Sequence, residues 1–524
     1  MSATRVRLFR GAYVDSVVQL SGTRAMRAVD GVEWAAAAMA TPVNLATLAE
    51  QGFNPQDWSG SGANDLVMAV RASCDEVAEQ AEQAGRAAIF DSRSSDSAGG
   101  GSKAEQPPRT LREAMDRAPG SNVAVISVPG DYAALEAHHA LSAGLDVLLF
   151  SDNVSLAAEV QLKQRAQRLG RLVMGPGAGT AMLGGTCLGF ANVTTPGPVA
   201  VVAAAGTGAQ EAMSLLDRWG AGVSHVIGLG GRDLSAGVGG TMARSTLHAL
   251  AGDERTEVVL LVSKPPAPDI VRAVLPAAGR KPVIAALLGL PGDLDVPDGI
   301  LPGTRTRVTL ATTLEAGVVA TLAALGRQAP DPAAGLRERV AGAITPLPPR
   351  RRLVRGLFSG GTLCYESLVI LAEHLGPVYS NTPLDPDLGL PAPADSHTCL
   401  DLGEEEYTKG RPHPMIDPQA RIELLREQGT DPDVAVIILD VVLGYGAHED
   451  PAAELAPVCA EIIADGGPLV VVYVLGTHGD PQGFDAQRQA FTEAGCVVTE
   501  TAARASLAAA AIARRDPALC EVRL

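Results

Sequence analysis

The stretches PVAVVAAAGTGAQEAMSLL (198–216) and RLVRGLFSGGTLCYESLVIL (352–371) both pass from an apolar segment through a Gly-Thr turn into an amphipathic segment. That order predicts a buried strand, a tight turn and a helix, twice in one chain. Aligning the two Gly-Thr turns also aligns Glu211 with Glu366 and brings the apolar helix positions into register. The sequence therefore predicts an internal duplication.

The duplication extends over two whole domains. Further apolar segments pair in the same order, EVVLLVS (257–263) with DVAVIILD (433–440) and KPVIAALLG (281–289) with GPLVVVYVLG (467–476). Continuously apolar segments of this kind are typical of parallel strands that are buried on both faces. We therefore predict two copies of one α/β domain at 192–327 and 350–524, joined by a linker at 328–349.

A different α/β domain is predicted at 109–191, where strand-like and helix-like segments alternate in a βαβαβ order. In its first helix Ala134, Ala137 and Leu141 fall on one stripe, which predicts the face that packs on the sheet. Ligands of such domains bind at the carboxyl ends of the strands.

The amino-terminal part is predicted to be a small α+β module at 1–90, followed by a flexible linker at 91–108 that is rich in Ser, Gly, Pro and charge. Within the module the pattern predicts strands at 6–9 and 87–90 and a helix at 65–85. No function is evident from its residues.

Composition limits the classes of function. The 524 residues are 46% hydrophobic but only 3% aromatic, and the formal net charge is −17. A charge of this sign repels nucleic-acid phosphates and anionic lipid, so neither nucleic acid nor a membrane is an expected partner. The chain has no apolar run of the ~20 residues that a spanning helix needs, and we expect a cytoplasmic protein.

The seven cysteines are scattered without a C-x-x-C pair, which argues against a disulfide framework and against a structural zinc site. No metal site is expected. Most of these cysteines are interpreted as small core residues.

The two Gly-Thr turns are candidate anion sites. A helix that begins at such a turn directs free N–H groups and the positive end of its dipole at whatever lies above the strand. A tight strand-to-helix connection also needs Gly for steric reasons, so each turn alone has two interpretations. Two facing turns would hold one phosphoryl or carboxylate group between them; the residues concerned are Gly206, Thr207, Gly208, Gly360, Gly361 and Thr362.

Histidines beside carboxylates follow strands of the second repeat. His448 with Asp450 lies in GYGAHEDP, and His413 with Asp417 lies in GRPHPMIDP. Either pair is a candidate catalytic acid–base group, and a surface histidine beside acids is the alternative. His478 follows the last long strand in an ordinary Thr-His-Gly-Asp turn.

Longer motifs carry a family resemblance. HHALSAGLDVLLFSDNV (138–154) and RLVMGPGAGTAMLGG (171–185) resemble the CoA-binding domain of the succinyl-CoA synthetase α subunit, and VIGLGGRD (226–233) resembles part of its ligase domain. Together with SGGTLCYESL (359–368) and DVVLGYGAHEDP (440–451), the chain is similar over nearly its whole length to the FdrA family of acyl-CoA synthetase-like proteins.

The resemblance implies an α/β protein with a Rossmann-like CoA-binding domain followed by two flavodoxin-like ligase domains. Thr207 and Thr362 then begin the helices that flank a phosphohistidine in the parent enzyme. Arg232, after the Gly-rich loop Gly230-Gly231, is a candidate clamp for a substrate carboxylate, with a surface pair to Asp233 as the alternative. CoA would be held by Gly130, Ser151, Asp152, Asn153, Gly175 and Pro176.

The chain also departs from the parent. It has no histidine between His248 and His374, where the parent is phosphorylated, and Ser263-Lys264 stands where the parent has an acidic residue. It has no ATP-grasp domain, so any ATP and Mg²⁺ would be bound by a partner chain.

Three functions follow from the resemblance. The first is an FdrA-type, acyl-CoA synthetase-like subunit that acts on a small carboxylic acid with CoA, together with other subunits or as a homo-oligomer. The second is a carbamoyltransferase subunit that transfers a carbamoyl group between phosphate and oxamate, so that carbamoyl phosphate and oxamate stand on one side of the reaction and phosphate and N-carbamoyl oxamate on the other. The third is a non-catalytic scaffold subunit of such a complex.

Overall fold

The computed structural model describes residues 3–12, 14, 16–62, 64–91, 108–292, 294, 296, 299–408 and 412–524. These form two compact units, Met1–Pro108 with Glu405–Pro412, and Arg109–Glu404 with His413–Leu524. The predicted linker at 91–108 lies outside the described residues except at its two ends.

The first unit is a small α+β module. Its strands form an antiparallel sheet in the order β1-β3-β2, with β3 paired on both sides. The elements along the chain are β1 (Ala3–Phe9), α1 (Ser16–Arg27), β2 (Val32–Met39), α2 (Pro42–Glu50), β3 (Leu66–Ala72) and α3 (Asp75–Arg86), and Glu405–Thr408 adds a short helix.

Two secondary-structure predictions for this module are wrong. The predicted helix at 65–85 is strand β3 followed by α3, because a short apolar run that is buried on both faces has the same pattern as a buried helix segment. The predicted strand at 87–90 is a π-helical turn, Ala87–Asp91, that continues α3 and buries Ile89 in the module core.

The second unit begins with a small Rossmann-like layer. The parallel strands β4 (Val123–Ile126), β5 (Asp146–Leu149) and β6 (Val173–Met174) form a sheet in that order. Ala137 and Leu141 of the predicted stripe are buried, and Ala134 is partly buried. The helices are α4 (Leu111–Arg117), α5 (Gly130–Ser142) and α6 (Leu156–Leu169).

The next sheet has the order β13-β12-β11-β9-β10-β7-β8, in which the β7–β8 hairpin extends one edge. Its strands are β7 (Thr180–Leu183), β8 (Thr186–Gly189), β9 (Pro196–Ala204), β10 (Val223–Gly228), β11 (Val258–Ser263), β12 (Val283–Leu287) and β13 (Val308–Ala311). The helices are α7 (Gly206–Arg218), α8 (Thr241–Ala251), α9 (Pro268–Val274), α10 (Leu314–Ala324) and α11 (Leu336–Ile344).

The last sheet is parallel and has the order β15-β16-β14-β17-β18-β19. Its strands are β14 (Leu353–Phe358), β15 (Val378–Tyr379), β16 (His397–Asp401), β17 (Val434–Val442), β18 (Leu469–Leu475) and β19 (Val497–Thr499). The helices are α12 (Gly361–Leu375), α13 (Gln419–Gly429), α14 (Pro451–Ala464), α15 (Phe484–Glu493) and α16 (Ala502–Arg514).

Both large sheets contain the flavodoxin-type strand order 2-1-3-4-5, as β10-β9-β11-β12-β13 and as β16-β14-β17-β18-β19. By position in this order, β9 in the first sheet is equivalent to β14 in the second, β11 to β17, and β12 to β18. The predicted α/β fold, with a small α+β module, a Rossmann-like layer and two flavodoxin-like sheets, is confirmed; the predicted domain boundaries remain predictions. In the part of the chain that the structure describes, no helix is both long enough and apolar enough to cross a membrane.

Candidate active site

The amino-terminal ends of α7 and α12 meet. The backbone N–H of Thr362, in the first turn of α12, donates a hydrogen bond of 3.2 Å to Oγ1 of Thr207, in the first turn of α7. A Cβ added to Gly208 would lie 2.8 Å from Cγ2 of Thr362, and one added to Gly360 would lie 2.8 Å from Cγ2 of Thr207. Glycine at these two positions therefore allows the helix ends to approach closely, and we call the region between them the cleft.

Several donors at the α12 side of the cleft are already occupied. Asp440, a buried residue of β17, accepts hydrogen bonds from the N–H groups of Ser359 (2.7 Å) and Gly360 (2.8 Å). The guanidinium of Arg421, which is also buried, lies 3.2 Å from the Asp440 carboxylate and balances its charge. A carboxylate of the protein thus stands where a ligand anion was predicted to bind.

Two residues that sequence reasoning left unassigned also lie at this cleft. Asp401 ends β16 beside β14, and its Oδ2 would clash with a Cβ at Gly361. Lys264 follows β11 and is close enough to lower the pKa of the Asp401 carboxyl. Burial outweighs that effect and raises the pKa of Asp401 to about 6, with further increases from Glu404 and Asp440.

His413 lies beside the same carboxylate. A Cβ at Gly403 would be 2.7 Å from His413 Nε2 and 3.2 Å from Asp401 Oδ1, so ring and carboxylate border the same small space. Nδ1 of the ring accepts the N–H of Met415 at 3.2 Å, which leaves Nε2 as the protonated nitrogen of a neutral ring. Burial lowers the pKa of His413 to about 4, against the opposing effect of Asp440.

His448 and His478 are held by other partners. The buried His448 ring accepts the N–H of Asp450 at Nδ1 (3.0 Å), and its Nε2 lies 3.1 Å from Glu454. Nδ1 of His478, an exposed residue, lies 3.1 Å from the carboxylate of Asp485. No bond in the structure joins either ring to Thr207 or Thr362.

The predicted CoA loops converge at the carboxyl ends of β4, β5 and β6. A Cβ at Gly130 would collide with the backbone of Asp152 and Asn153, and the Ser151 hydroxyl donates to the carbonyl of Val128 at 2.5 Å. The Gly230 turn packs on the backbone of Gly175 and Pro176. Asp152 is exposed as a residue, yet partial burial of its carboxyl and the charge of Glu404 raise its pKa, while Arg232 lowers it.

Arg232 takes part in a buried ion network rather than standing free. Its guanidinium lies 2.8 Å from Glu159 and donates to the carbonyl of Val154 at 2.7 Å. The expected alternative pair with Asp233 is not formed, because Asp233 is bound by Lys163 at 2.9 Å, and Lys163 also bonds Glu159 at 2.7 Å. The Arg232 side chain is still 47% exposed, so it remains accessible to a ligand.

Comparison with known proteins agrees with this architecture. Residues 357–512 match the CoA-ligase family, and residues 1–107 match the heavy metal-associated domain of AllF. The α subunits of succinate–CoA ligase from Archaeoglobus fulgidus (α subunit 2) and Staphylococcus epidermidis are each 29% identical, over 186 and 171 residues. These matches cover 34% and 32% of the chain and 63% and 55% of those proteins, so the similarity spans only part of them.

Among solved structures, the dinucleotide-forming acetyl-coenzyme A synthetase 1 of Ca. Korarchaeum cryptofilum, in complex with phosphate and ADP, matches with 16% identity and a TM-score of 0.28. The match covers 77% of the chain and 85% of that structure.

The chain contains a CoA-ligase domain and is a CoA-ligase-like protein. It is 38% identical over 511 residues to YahF of Escherichia coli K12, covering 95% of this chain and 96% of that protein. The chain therefore belongs to the YahF family.

The residues of the amino-terminal module do not fit the metal that its family name implies. Soft metal ions are bound by thiolate and imidazole ligands, commonly in pairs. Residues 1–107 contain a single cysteine, Cys74, and no histidine, and Cys74 is half-buried at the start of α3. We assign no metal chemistry to the module.

Proposed function

We propose that the chain is an FdrA-type, acyl-CoA synthetase-like subunit that acts on a small carboxylic acid with CoA at the cleft between α7 and α12. The observation that carries this proposal is the hydrogen bond between Thr207 and Thr362, which joins the helix ends of two duplicated domains. Two helix amino termini that face one space favour the binding of an anion there.

One carboxylate acts electrostatically on both the proposed CoA loops and the cleft. The charge of Glu404 raises the pKa of Asp152 in those loops and also the pKa of Asp401 in the cleft. We propose that a CoA molecule bound at the carboxyl ends of β4 to β6 extends one end towards the cleft. Any nucleotide site is proposed to lie on a partner subunit.

Binding is the direct test. The purified chain is titrated with CoA and with oxamate and acetate, by calorimetry, and the complex isolated from the native host is assayed for CoA thioester formation with ATP and Mg²⁺. We expect CoA binding and binding of at least one acid. If neither CoA nor either acid binds at millimolar concentration, the chain is a scaffold subunit.

A second candidate is carbamoyl transfer between phosphate and an oxamate-like acid. The observation that favours it is the absence of histidine between His248 and His374, together with Lys264 in place of an acidic residue. This reaction needs neither phosphohistidine nor an ATP-grasp domain. Incubating the native complex with oxamate and carbamoyl phosphate, and measuring released phosphate and N-carbamoyl oxamate, separates it from thioester formation.

A further inference from the structure

The two helix ends at the cleft are no longer equivalent. On the α12 side, the N–H groups of Ser359 and Gly360 are bound by Asp440, and that of Thr362 is bound by Thr207. On the α7 side, no acceptor among the described residues lies on the N–H groups of residues 206–208. Among the described residues, an incoming anion therefore meets three consecutive free backbone donors at α7, whereas in the first turn of α12 only Gly361 and Leu363 keep free N–H groups.

Lys264 stands beside these free donors. In the parallel pairing of β11 with β9, Ser263 is the partner of Ala204, so the next residue, Lys264, lies level with Ala205 at the start of α7. It is half-buried, and its charge acts on the carboxyl of Asp401 and on the buried thiol of Cys364 in α12, so it lies within electrostatic range of the cleft.

Negative charge lines the opposite wall. Asp401 is only 3% exposed; its Oδ1 accepts the N–H of Gly403 at 3.0 Å, while Oδ2 is directed at Gly361 and has no hydrogen-bond partner among the described residues. Asp440 and Glu404 act on the same carboxyl. A ligand with two negative charges is disfavoured so close to these groups, because like charges in a partly buried site repel strongly.

We propose that the cleft binds one singly charged carboxylate, held by the N–H groups of residues 206–208 and by Lys264, and that the carboxylate of Asp401 excludes a phosphoryl dianion. This inference rests on the proposed function and narrows its substrate class to monocarboxylates at this position.

The test is a titration of the full chain with oxamate, acetate and inorganic phosphate at pH 8, with and without CoA. We expect the acids to bind at least tenfold more tightly than phosphate. Lys264→Met should weaken acid binding about tenfold or more, while the control Lys281→Met should not, because Lys281 bonds the carbonyls of Asp253 and Thr256 instead.

Asp401→Asn should raise the affinity for phosphate about tenfold and leave acid binding in place, whereas the exposed control Asp269→Asn should change neither. Equal binding of phosphate and acids by the wild-type chain overturns the inference, as does unchanged acid binding by Lys264→Met. In either case the chain still binds acids, so the proposed function is not contradicted. If the wild-type chain binds neither the acids nor CoA, both this inference and the proposed function are wrong.

Discussion

Glu211 and Glu366 occupy equivalent positions on α7 and α12, and each bonds the first turn of a helix that belongs to the other domain. Glu366 accepts the N–H of Leu314 at the start of α10 (2.6 Å), and Glu211 faces the N–H of Ala502 at the start of α16 (3.4 Å). A carboxyl group at a helix amino terminus satisfies a free donor. The duplicated domains thus cap each other's helices across their shared interface.

This relationship predicts how stability depends on pH. Burial raises the pKa of Glu211 to about 7 and that of Glu366 to about 8, above the ~4.3 of an unfolded glutamate. The folded chain therefore binds more protons than the unfolded chain between about pH 4.5 and 8, so this contribution to stability is present in acid and is lost as pH rises, at up to about 1.4 kcal/mol per group and pH unit.

We expect the temperature of thermal unfolding to decrease as the pH is raised from 5.5 to 8, because Glu211 and Glu366 ionise in this range. Glu211→Gln and Glu366→Gln remove that part of the decrease. Calorimetry of the double variant should show a flatter pH dependence, with the greatest gain over wild type near pH 8. The exposed Glu338→Gln is the matched control and should follow the wild type. Identical pH slopes for the double variant and the wild type contradict the prediction.

A second prediction concerns the contact that defines the cleft. Thr207→Val removes the oxygen that accepts the N–H of Thr362 and leaves that donor buried, which costs about 1–3 kcal/mol. Stability and the affinity for small acids should both fall. Thr246→Val makes the same change at a buried hydroxyl that has no hydrogen-bond partner among the described residues, and should be neutral. A variant at Thr207 that keeps full acid affinity argues against the cleft as the binding site.

The CoA loops give a third prediction. Gly130→Asp places a side chain against the backbone of Asp152 and Asn153 and adds a negative charge where CoA phosphates are proposed to bind. CoA affinity should fall at least tenfold in calorimetry. Gly120→Asp, at a site with no atom within 4 Å of the added Cβ, adds the same charge in an open loop and should bind CoA as the wild type does.

The fourth prediction concerns the buried ion network of Lys163, Glu159 and Asp233. Lys163 is fully buried between Glu159 and Asp233, so Lys163→Met leaves two carboxylates without their common partner. Removal of one member of a buried pair costs about 3–5 kcal/mol. The thermal midpoint should fall markedly, while Arg272→Met, at an exposed pair with Asp269, should change it little. A small effect of Lys163→Met would show that the network contributes little to stability.

The fold and the two helix ends of the candidate site could be predicted from the sequence. The charged residues that lie around the cleft, Asp401 and Lys264, could not. The repeat was detectable because Glu211, Glu366 and the Gly-Thr turns recur in register. Asp401 was missed because it ends a short strand that is distant in sequence from the Gly-Thr turn, and only the strand order places β16 beside β14. Lys264 was noted as a departure, but its electrostatic effect on Asp401 depends on packing between two domains, which local patterns do not encode.

The last prediction separates the two proposed reactions. Of the histidines weighed for phosphorylation, His448 and His478 are bonded to Glu454 and Asp485. The third, His413, borders Asp401 and has a pKa lowered to about 4. A phosphoryl group on His413 would lie close to a carboxylate, and the repulsion between two like unit charges about 4 Å apart is about 4 kcal/mol at an effective dielectric constant of 20. A helix dipole offsets only about 0.3–1 kcal/mol of this repulsion in exposed settings and up to about 2 kcal/mol when partly buried.

We therefore expect no acid-labile phosphate on this chain after incubation with Mg-ATP, with or without its partner subunits, under conditions in which a succinate–CoA ligase α subunit is labelled. Labelled phosphate that maps to any of these three histidines would restore the phosphohistidine route, whereas its absence together with phosphate release from carbamoyl phosphate and oxamate would favour carbamoyl transfer.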